Sequence, residues 1–211
     1  HAYGEVASRM AVETIESFVK QTASATDDSQ ITWPYDFDQA LTLNANRLVI
    51  SIRYANQKLV EHAENVTDCE GMGTTVVGVL VESNIATVAH VGDSRLYLIR
   101  NSEITCITKD HSWVNEQVML GLIDSEDARN HPLRNVVTKA LGGKKDVEVD
   151  FQELQLIEGD RLLLCSDGLT TMLNDSEILN IVLGNGGSVQ QAHELVDAAN
   201  QNGGADNCTT I

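Results

Sequence analysis

The sequence predicts an α+β fold in which antiparallel sheets pack on each other and are flanked by helices. Helical patterns occupy both ends of the 211-residue chain, and β-branched, apolar segments separated by short polar turns fill its middle. Strands and helices do not alternate regularly, as they do in a parallel sheet with crossover helices. The length suits one large domain, so we expect residues 1–211 to form a single domain.

Two helices are expected before the first strand. Apolar residues recur at three- and four-residue spacing from Gly4 to about Lys20, which is typical of an amphipathic helix. After a polar loop, a second helical pattern begins at Phe37 and fades near Glu64. Each segment is therefore expected to bury one apolar face against a neighbouring layer.

Four short strands are expected next, paired as one antiparallel meander. Gly92-Asp93 and Asn101-Ser102-Glu103 supply two of the polar turns. Because short turns between closely spaced strands are typical of hairpins, we expect consecutive strands to lie side by side in one sheet. The β-branched, apolar segments are 74–81, 85–91, 96–99 and 104–107.

An irregular segment comes next, between Lys109 and Gly143. It is polar throughout, contains a proline at position 132, and shows short helical patterns at 112–120 and 125–130. A segment of this kind between two groups of strands is typical of an appended loop region, so we interpret it as a flap.

The last third of the chain is expected to add two strands and two helices, and then the start of one more strand. Asn174 and Ser188 are both good N-cap residues. Glu177 and Gln191 each stand three residues after their cap, as a capping box requires. The predicted strands are 147–154, 161–165 and 208–211.

Charge and composition exclude several classes of function. With 31 acidic and 14 basic residues, the net charge of −17 argues against a nucleic-acid partner or an anionic membrane surface. No apolar run approaches the roughly 20 residues that cross a bilayer. The four cysteines are widely scattered, so we expect reduced thiols in the cytoplasm and no structural zinc. A phosphorylated substrate would need bound divalent cations to supply the missing positive charge.

Three aspartates stand where predicted strands begin or end. Asp167 comes after the apolar run 162–165, Asp206 lies in a glycine-rich turn, and Asp93 lies in the turn between two strands. Each of them alone is more often an ordinary turn residue, since Asp is a preferred turn former. Taken together, carboxylates held at strand ends are ligands that suit hard cations such as Mg²⁺ and Mn²⁺.

Five ordered motifs run through most of the chain and resemble those of the metal-dependent protein phosphatases, the PPM or type-2C family. The motifs are Gly71-Met72-Gly73-Thr74-Thr75, Ala89-His90-Val91-Gly92-Asp93-Ser94-Arg95, Thr108-Lys109-Asp110-His111-Ser112, Cys165-Ser166-Asp167-Gly168-Leu169 and Gly204-Ala205-Asp206-Asn207. The resemblance implies a central sandwich of two antiparallel sheets flanked by helix pairs. It also implies a flap subdomain over residues 108–143, near a carboxylate-lined cleft that holds two Mn²⁺ or Mg²⁺ ions.

The same resemblance implies roles for the three aspartates. Asp167 and Asp206 match metal ligands of the family, and Asp93 matches a position that helps bacterial members hold a more weakly bound third ion. No side chain is expected to act as the nucleophile, because two metal ions can activate a water for in-line attack on phosphorus. None of the cysteines has, six residues later, the arginine that a cysteine-based phosphatase would need.

The two ends of the chain suggest segments beyond those given. His1-Ala2-Tyr3-Gly4 resembles the segment directly after the acidic Asp-Gly-Met-Gly-Gly turn of the family. We therefore expect the N-terminal strands of the family to precede His1, carrying further acidic metal ligands and a phosphate-binding arginine. The final strand is likewise expected to extend beyond Ile211.

The predicted function is the hydrolysis of phosphoserine and phosphothreonine on proteins by a bacterial, cytoplasmic and monomeric enzyme. The alternative is a non-catalytic regulatory or binding module that keeps the phosphatase fold. Asp167 and Asp206 favour the enzyme, because a decayed site has little reason to keep two acids at matching strand ends. A phosphatase acting on a small phosphorylated metabolite is a third possibility, against which an open, shallow cleft would argue.

Overall fold

A computed structural model of the chain describes residues 3–66, 69 and 71–211, with only the backbone of Ser125. The chain forms two compact units: unit 1 is His1–Gly92 with His111–Leu156, and unit 2 is Asp93–Asp110 with Ile157–Ile211. Each unit contains a three-stranded antiparallel sheet and its own helices, so the α+β class with two antiparallel sheets is confirmed. The assignment of the whole chain to a single domain stays a prediction.

Unit 1 contains the first two long helices, the first sheet and most of the predicted flap. Its helices and strands are α1 (Gly4–Thr22), α2 (Leu43–Asn65), β1 (Val76–Glu82), β2 (Ile85–Val91), α3 (Trp113–Met119), α4 (Ser125–Asn130) and β5 (Asp150–Gln155). Its sheet has the strand order β1-β2-β5, and both neighbouring pairs are antiparallel.

The core of unit 1 forms between α2 and the sheet. Leu48, Ile52 and Leu59 of α2 are buried with Ala89 and Val91 of β2, as the amphipathic pattern of α2 predicts. Burying a leucine or isoleucine side chain contributes about 1.5–3 kcal/mol, so this face supplies much of the stability of the unit.

Helix α2 begins later than its sequence pattern suggests. It starts at Leu43, because the Thr42 hydroxyl caps it by accepting a hydrogen bond of 3.1 Å from the backbone N–H of Ala45. The buried Asn46 side chain bonds both the N–H and the C=O of Asp38, each at 2.8 Å, and so holds the preceding segment as a loop. The predicted start at Phe37 is therefore wrong.

Unit 2 contains the second sheet and the last three helices. Its helices and strands are β3 (Arg95–Arg100), β4 (Glu103–Cys106), β6 (Arg161–Cys165), α5 (Asp167–Thr170), α6 (Asp175–Val182) and α7 (Ser188–Gln201). Its sheet has the strand order β4-β3-β6, and both neighbouring pairs are antiparallel. Beyond β6, Thr210 forms an antiparallel bridge with Cys165, and the backbones of Leu164 and Ile211 exchange two hydrogen bonds.

The expected four-stranded meander is not formed, because β2 and β3 belong to different sheets. The edge of β2 that a hairpin partner would occupy is taken by β5, which comes about sixty residues later in the chain. Between β2 and β3, Gly92 adopts φ +111°, and a Cβ at this position would collide with the Thr75 side chain. Gly92-Asp93 is therefore a connection between sheets and not a hairpin turn.

The capping box predicted for α6 is present. The side-chain oxygen of Asn174 accepts hydrogen bonds from the N–H groups of Ser176 and Glu177, at 3.0 and 3.1 Å. The Glu177 carboxylate accepts the N–H of Asn174 at 2.8 Å. Three backbone N–H donors that the helix itself cannot satisfy are thus paired, and two of these bonds form the capping box that the spacing predicts.

The capping box predicted for α7 is wrong. Gly187 is the N-cap, and Ser188 is the first helical residue. The buried Gln191 instead donates its amide hydrogens to the carbonyl oxygens of Gly184 and Gly186, at 3.0 and 3.3 Å. The Gln191 side chain, which the sequence pattern assigns to the capping box, therefore stabilises the preceding loop instead.

No helix among the described residues is long and apolar enough to cross a membrane.

Candidate metal centre

The three predicted metal ligands lie at one end of the unit 2 sheet. Arg95, the first residue of β3, pairs with Cys165, the last residue of β6. Asp93 stands two residues before β3 and Asp167 two residues after β6, so both extend from the same end. The residues around Thr210 run antiparallel to β6, which places Asp206 at that end as well. We call Asp93, Asp167 and Asp206 the carboxylate cluster.

Local contacts hold the segments of Asp167 and Asp206 together. The Ser166 hydroxyl donates to the carbonyl oxygen of Asn207 at 3.1 Å and accepts the N–H of Thr209 at 3.0 Å. Gly168 packs so closely on Asn207 that a Cβ would collide with its carbonyl group. The close approach of two backbones therefore requires glycine at position 168.

The electrostatics of the carboxylate cluster favour a cation. Burial, and after it the charges of Asp167 and Asp110, raise the pKa of Asp93 to about 6. Burial and the charge of Asp206 also raise the pKa of Asp167. Carboxylates that disfavour each other's ionised form are stabilised by a bound cation, and hard oxygen ligands suit Mg²⁺ and Mn²⁺. The donor set thus fits the predicted metals.

Asp110 is a member of this region that the sequence did not single out as a site residue. Its charge raises the pKa of both Asp93 and Asp167, which places it within electrostatic range of the cluster. It is bound by the Arg95 guanidinium, with Nη2 2.7 Å from Oδ2. The sequence indicates the importance of Asp110 only by its place in the motif Thr108 to Ser112. Its contact with Arg95 is visible only in the folded protein.

A second group of metal-ligating side chains lies in unit 1 and consists of His90, His111 and Asp150. Their ligand atoms lie within 4.8 Å of one another, and the two imidazole rings stack with centroids 4.9 Å apart. The sequence contained both histidines in its motifs but offered no sign that they meet. We call these three residues the imidazole cluster.

Hydrogen bonding argues against a metal ion in the imidazole cluster. The Nδ1 atom of His111 accepts the backbone N–H of Gly92 at 3.0 Å, so a neutral ring carries its proton on Nε2. That Nε2 is buried 3.4 Å from Asp150 Oδ2, and no described residue accepts a well-aligned hydrogen bond from it. A metal ion at Nε2 would require moving the proton to Nδ1, against the Gly92 N–H.

The protonation of His111 points the same way. Burial lowers its pKa, and the neighbouring Asp150 opposes that shift only in part. A second proton would also have to replace the hydrogen bond from Gly92. His111 is therefore held as a neutral ring that anchors the end of β2.

Comparison with known proteins identifies relatives over the whole chain. A sequence model described as protein phosphatase 2C matches residues 1–206. The serine/threonine phosphatase stp of Listeria monocytogenes is 37% identical over 212 aligned residues, which cover 100% of this chain and 79% of that protein. The protein phosphatase PhpP of Streptococcus pneumoniae is 42% identical over 154 residues, covering 73% of this chain and 62% of the relative.

Solved structures give the same result for the fold. The serine/threonine phosphatase PstP/Ppp of Mycobacterium tuberculosis superposes with a TM-score of 0.84 and 35% identity, covering 100% of this chain and 81% of the other. The catalytic domain of PstP in complex with two manganese ions has a TM-score of 0.80 and 33% identity, with coverages of 100% and 80%.

Proposed function

The chain belongs to the protein phosphatase 2C family, and we propose that Asp93, Asp167 and Asp206 bind its catalytic divalent cations. Its relatives are serine/threonine phosphatases, one of which is known with two manganese ions. The chain is accordingly a metal-dependent serine/threonine protein phosphatase that uses Mn²⁺ or Mg²⁺ and acts on phosphorylated proteins. An enzyme is thus supported over the alternative of a non-catalytic module.

The assignment of the three ligands depends on one observation about unit 2. The β3–β6 register and the Cys165–Thr210 bridge direct three carboxylates to the same end of one sheet. Two of them have raised pKa values, for which burial and neighbouring carboxylates are the main causes. Such an arrangement is costly for a protein without a cation and favourable with one.

The chemistry divides between the cations and the chain. Bound divalent cations supply an activated water as nucleophile and offset the negative charge of the phosphoryl oxygens. The chain orients the residues that would hold the cations: the N–H of Asn207 donates to Asp206 Oδ1 at 2.7 Å and so restrains this carboxylate. Asp167 is held by its position as the first residue of α5.

Cysteines near the carboxylate cluster do not compete for the role of nucleophile. Burial raises the pKa of Cys165 to about 12, and burial together with the charge of Asp167 raises the pKa of Cys208. Both side chains are therefore thiols at neutral pH, whereas the reactive form of cysteine is the thiolate. Cys165 packs in the core of unit 2, as the sequence predicted.

The proposal includes the setting of the enzyme. We place it in the cytoplasm as a monomer with neither nucleic-acid nor membrane partners. The four cysteines are free thiols, which favours a reducing compartment. The net charge of −17 disfavours binding to anionic polymers and anionic membrane surfaces.

The direct test measures hydrolysis of a phosphothreonine peptide and an aryl phosphate by the full-length natural protein, with and without Mn²⁺. Asp167→Asn should lower turnover by more than about 100-fold, since even the partners of metal ligands cost 10–100-fold. Asp197→Asn, at an exposed position on α7, is the matched control and should keep full turnover. Turnover that persists in excess chelator would contradict the proposed chemistry.

A further inference from the structure

An arginine and a fourth carboxylate form a close pair beside the carboxylate cluster in unit 2. Arg95 Nε lies 2.9 Å from Asp110 Oδ1, and Arg95 Nη2 lies 2.7 Å from Asp110 Oδ2. The two side chains are only 30% and 16% exposed. A two-pronged contact of this kind fixes both geometry and charge, because the guanidinium is planar and always ionised.

The pair stands at the same end of the sheet as the cluster. Arg95 comes two residues after Asp93, and it faces Cys165, which precedes Asp167 by two residues. The segment leading to Asp110 is attached to β3, because the N–H of Ile107 donates to the carbonyl oxygen of Leu96 at 2.8 Å. Arg95 and Asp110 are therefore held where their charges act on the cation site.

The arginine is restrained on its other side as well. Its Nη1 donates to the Tyr97 hydroxyl at 3.0 Å, and that hydroxyl donates to Asp175 Oδ1 at 3.3 Å. Tyr97 is fully buried, and Asp175 is the first residue of α6. The guanidinium thus keeps a contact that does not depend on Asp110, which leaves its charge in place when Asp110 is changed.

We propose that Arg95 and Asp110 are a charge-neutral positioning pair, in which each residue cancels the other's field at the cation site. The charge that acts on the cations is then set by Asp93, Asp167 and Asp206, and Arg95 keeps Asp110 from joining them as a ligand. This inference rests on the proposed function, since the pair acts through the ions that the carboxylate cluster holds.

The proposal predicts changes of opposite sign for the two single variants. Asp110→Asn leaves the positive charge of Arg95 uncompensated, so the affinity for Mn²⁺ should fall by about 10–100-fold. Arg95→Gln leaves an extra negative charge, so the affinity should rise. The double variant removes both charges and should return to within about twofold of the wild type. A purely structural pair would instead weaken binding in all three variants.

A second salt bridge in the same unit provides a matched control. Arg100 and Asp160 also make a two-pronged contact, at 2.8 and 2.6 Å, but they lie at the opposite end of β3. Their side chains are 35% and 4% exposed, which is similar to the burial of the first pair. Neutralising this pair tests the cost of losing a buried ion pair without changing charge near the cluster.

The experiment titrates Mn²⁺ alone into the metal-free full-length protein by calorimetry, with a thermal melt of each variant. Opposite shifts for Asp110→Asn and Arg95→Gln, recovery in the double variant and unchanged affinity in Arg100→Gln/Asp160→Asn would support the proposal. If a neutral variant does not fold, Arg95→Lys retains the charge without the fork and should bind Mn²⁺ within about twofold of the wild type.

Two results would overturn different claims. Equal weakening of Mn²⁺ binding by both single variants and the double variant, or weakening by Arg95→Lys of the same size as by Asp110→Asn, would reject the positioning pair. If Asp167→Asn binds Mn²⁺ as the wild type does, the proposed ligands fail, whatever the Arg95 and Asp110 variants show.

Discussion

The carboxylate cluster of unit 2 and the imidazole cluster of unit 1 each bring together three side chains of metal-binding types. In the first cluster, burial and then neighbouring charge raise the pKa values of Asp93 and Asp167, so that a cation relieves an unfavourable state. In the second, the hydrogen bond from Gly92 occupies one ring nitrogen of His111 and leaves the proton on the other. Residue type and proximity therefore do not define a metal site until the hydrogen bonds of the ligands are counted.

The largest expected effect is that aspartates of the two clusters differ in their importance for catalysis. Asp206→Asn should lower Mn²⁺-dependent hydrolysis by more than about 100-fold, because it removes a proposed ligand. Asp150→Asn should retain most of the activity, because Asp150 belongs to the imidazole cluster. The measurement is the rate at which each variant hydrolyses the phosphothreonine peptide at saturating Mn²⁺. Equal losses of activity in both variants would contradict the assignment of the cations to the carboxylate cluster alone.

A smaller effect is expected in the pH dependence of Mn²⁺ binding. The pKa of Asp93 is raised to about 6 in the metal-free protein, so below that pH a proton competes with the cation. Affinity should therefore fall as the pH decreases through 6. Calorimetric titrations between about pH 5 and 7.5 provide the measurement. Asp93→Asn should bind more weakly but lose this pH dependence, and a variant that kept it would show that another group is responsible.

The imidazole cluster should show a pH dependence of the same sign, but in the stability of the protein and not in the binding of a cation. The pKa of His111 is lowered by burial, so as the pH falls below about 6.5 the unfolded state takes up a proton that the folded state does not. The contribution of His111 to the free energy of unfolding is thus present above that pH and is lost as the pH falls through the folded-state pKa.

Denaturant unfolding of the metal-free protein between about pH 5.5 and 7.5 tests this contribution. His111→Gln should remove that part of the pH dependence, since glutamine does not titrate but has an oxygen that can accept the Gly92 N–H. His193→Gln, at an exposed position on α7, is the control and should behave as the wild type. An unchanged slope in His111→Gln would refute the neutral-ring assignment.

The smallest expected effect is a change in the stability of unit 2 that leaves its affinity for Mn²⁺ unchanged. Asn174→Ala removes the capping box of α6 and should lower the free energy of unfolding by about 1 kcal/mol without changing the affinity for Mn²⁺. Ser188→Ala should change stability by less, because Gly187 and not Ser188 caps α7. Urea unfolding measures the free energy of unfolding of both variants. An equal loss of stability in the two would contradict the assignment of Asn174 and Gly187 as the N-caps of α6 and α7.

Much of the local structure could be predicted from the sequence. The periodicity of α1, the β-branched segment of β2 and the Asn174–Glu177 pair each encode a local preference that the fold retains. Two of the errors, at the starts of α2 and α7, arose where a buried side chain of the helix bonds the backbone of the loop before it. Asn46 holds the loop before α2, and Gln191 holds the loop before α7, and neither contact leaves a periodic signal.

By itself, the sequence determined the chemical character of the protein: an acidic chain with aspartates at strand ends, in motifs that resemble one phosphatase family. Only the tertiary structure decided which groups meet. It separated β2 from β3, aligned β3 with β6, joined Arg95 to Asp110 and directed the Gly92 N–H to His111. The physical reason is that strand register and the state of a buried polar group depend on partners far along the chain, whereas turn and helix preferences act over a few residues.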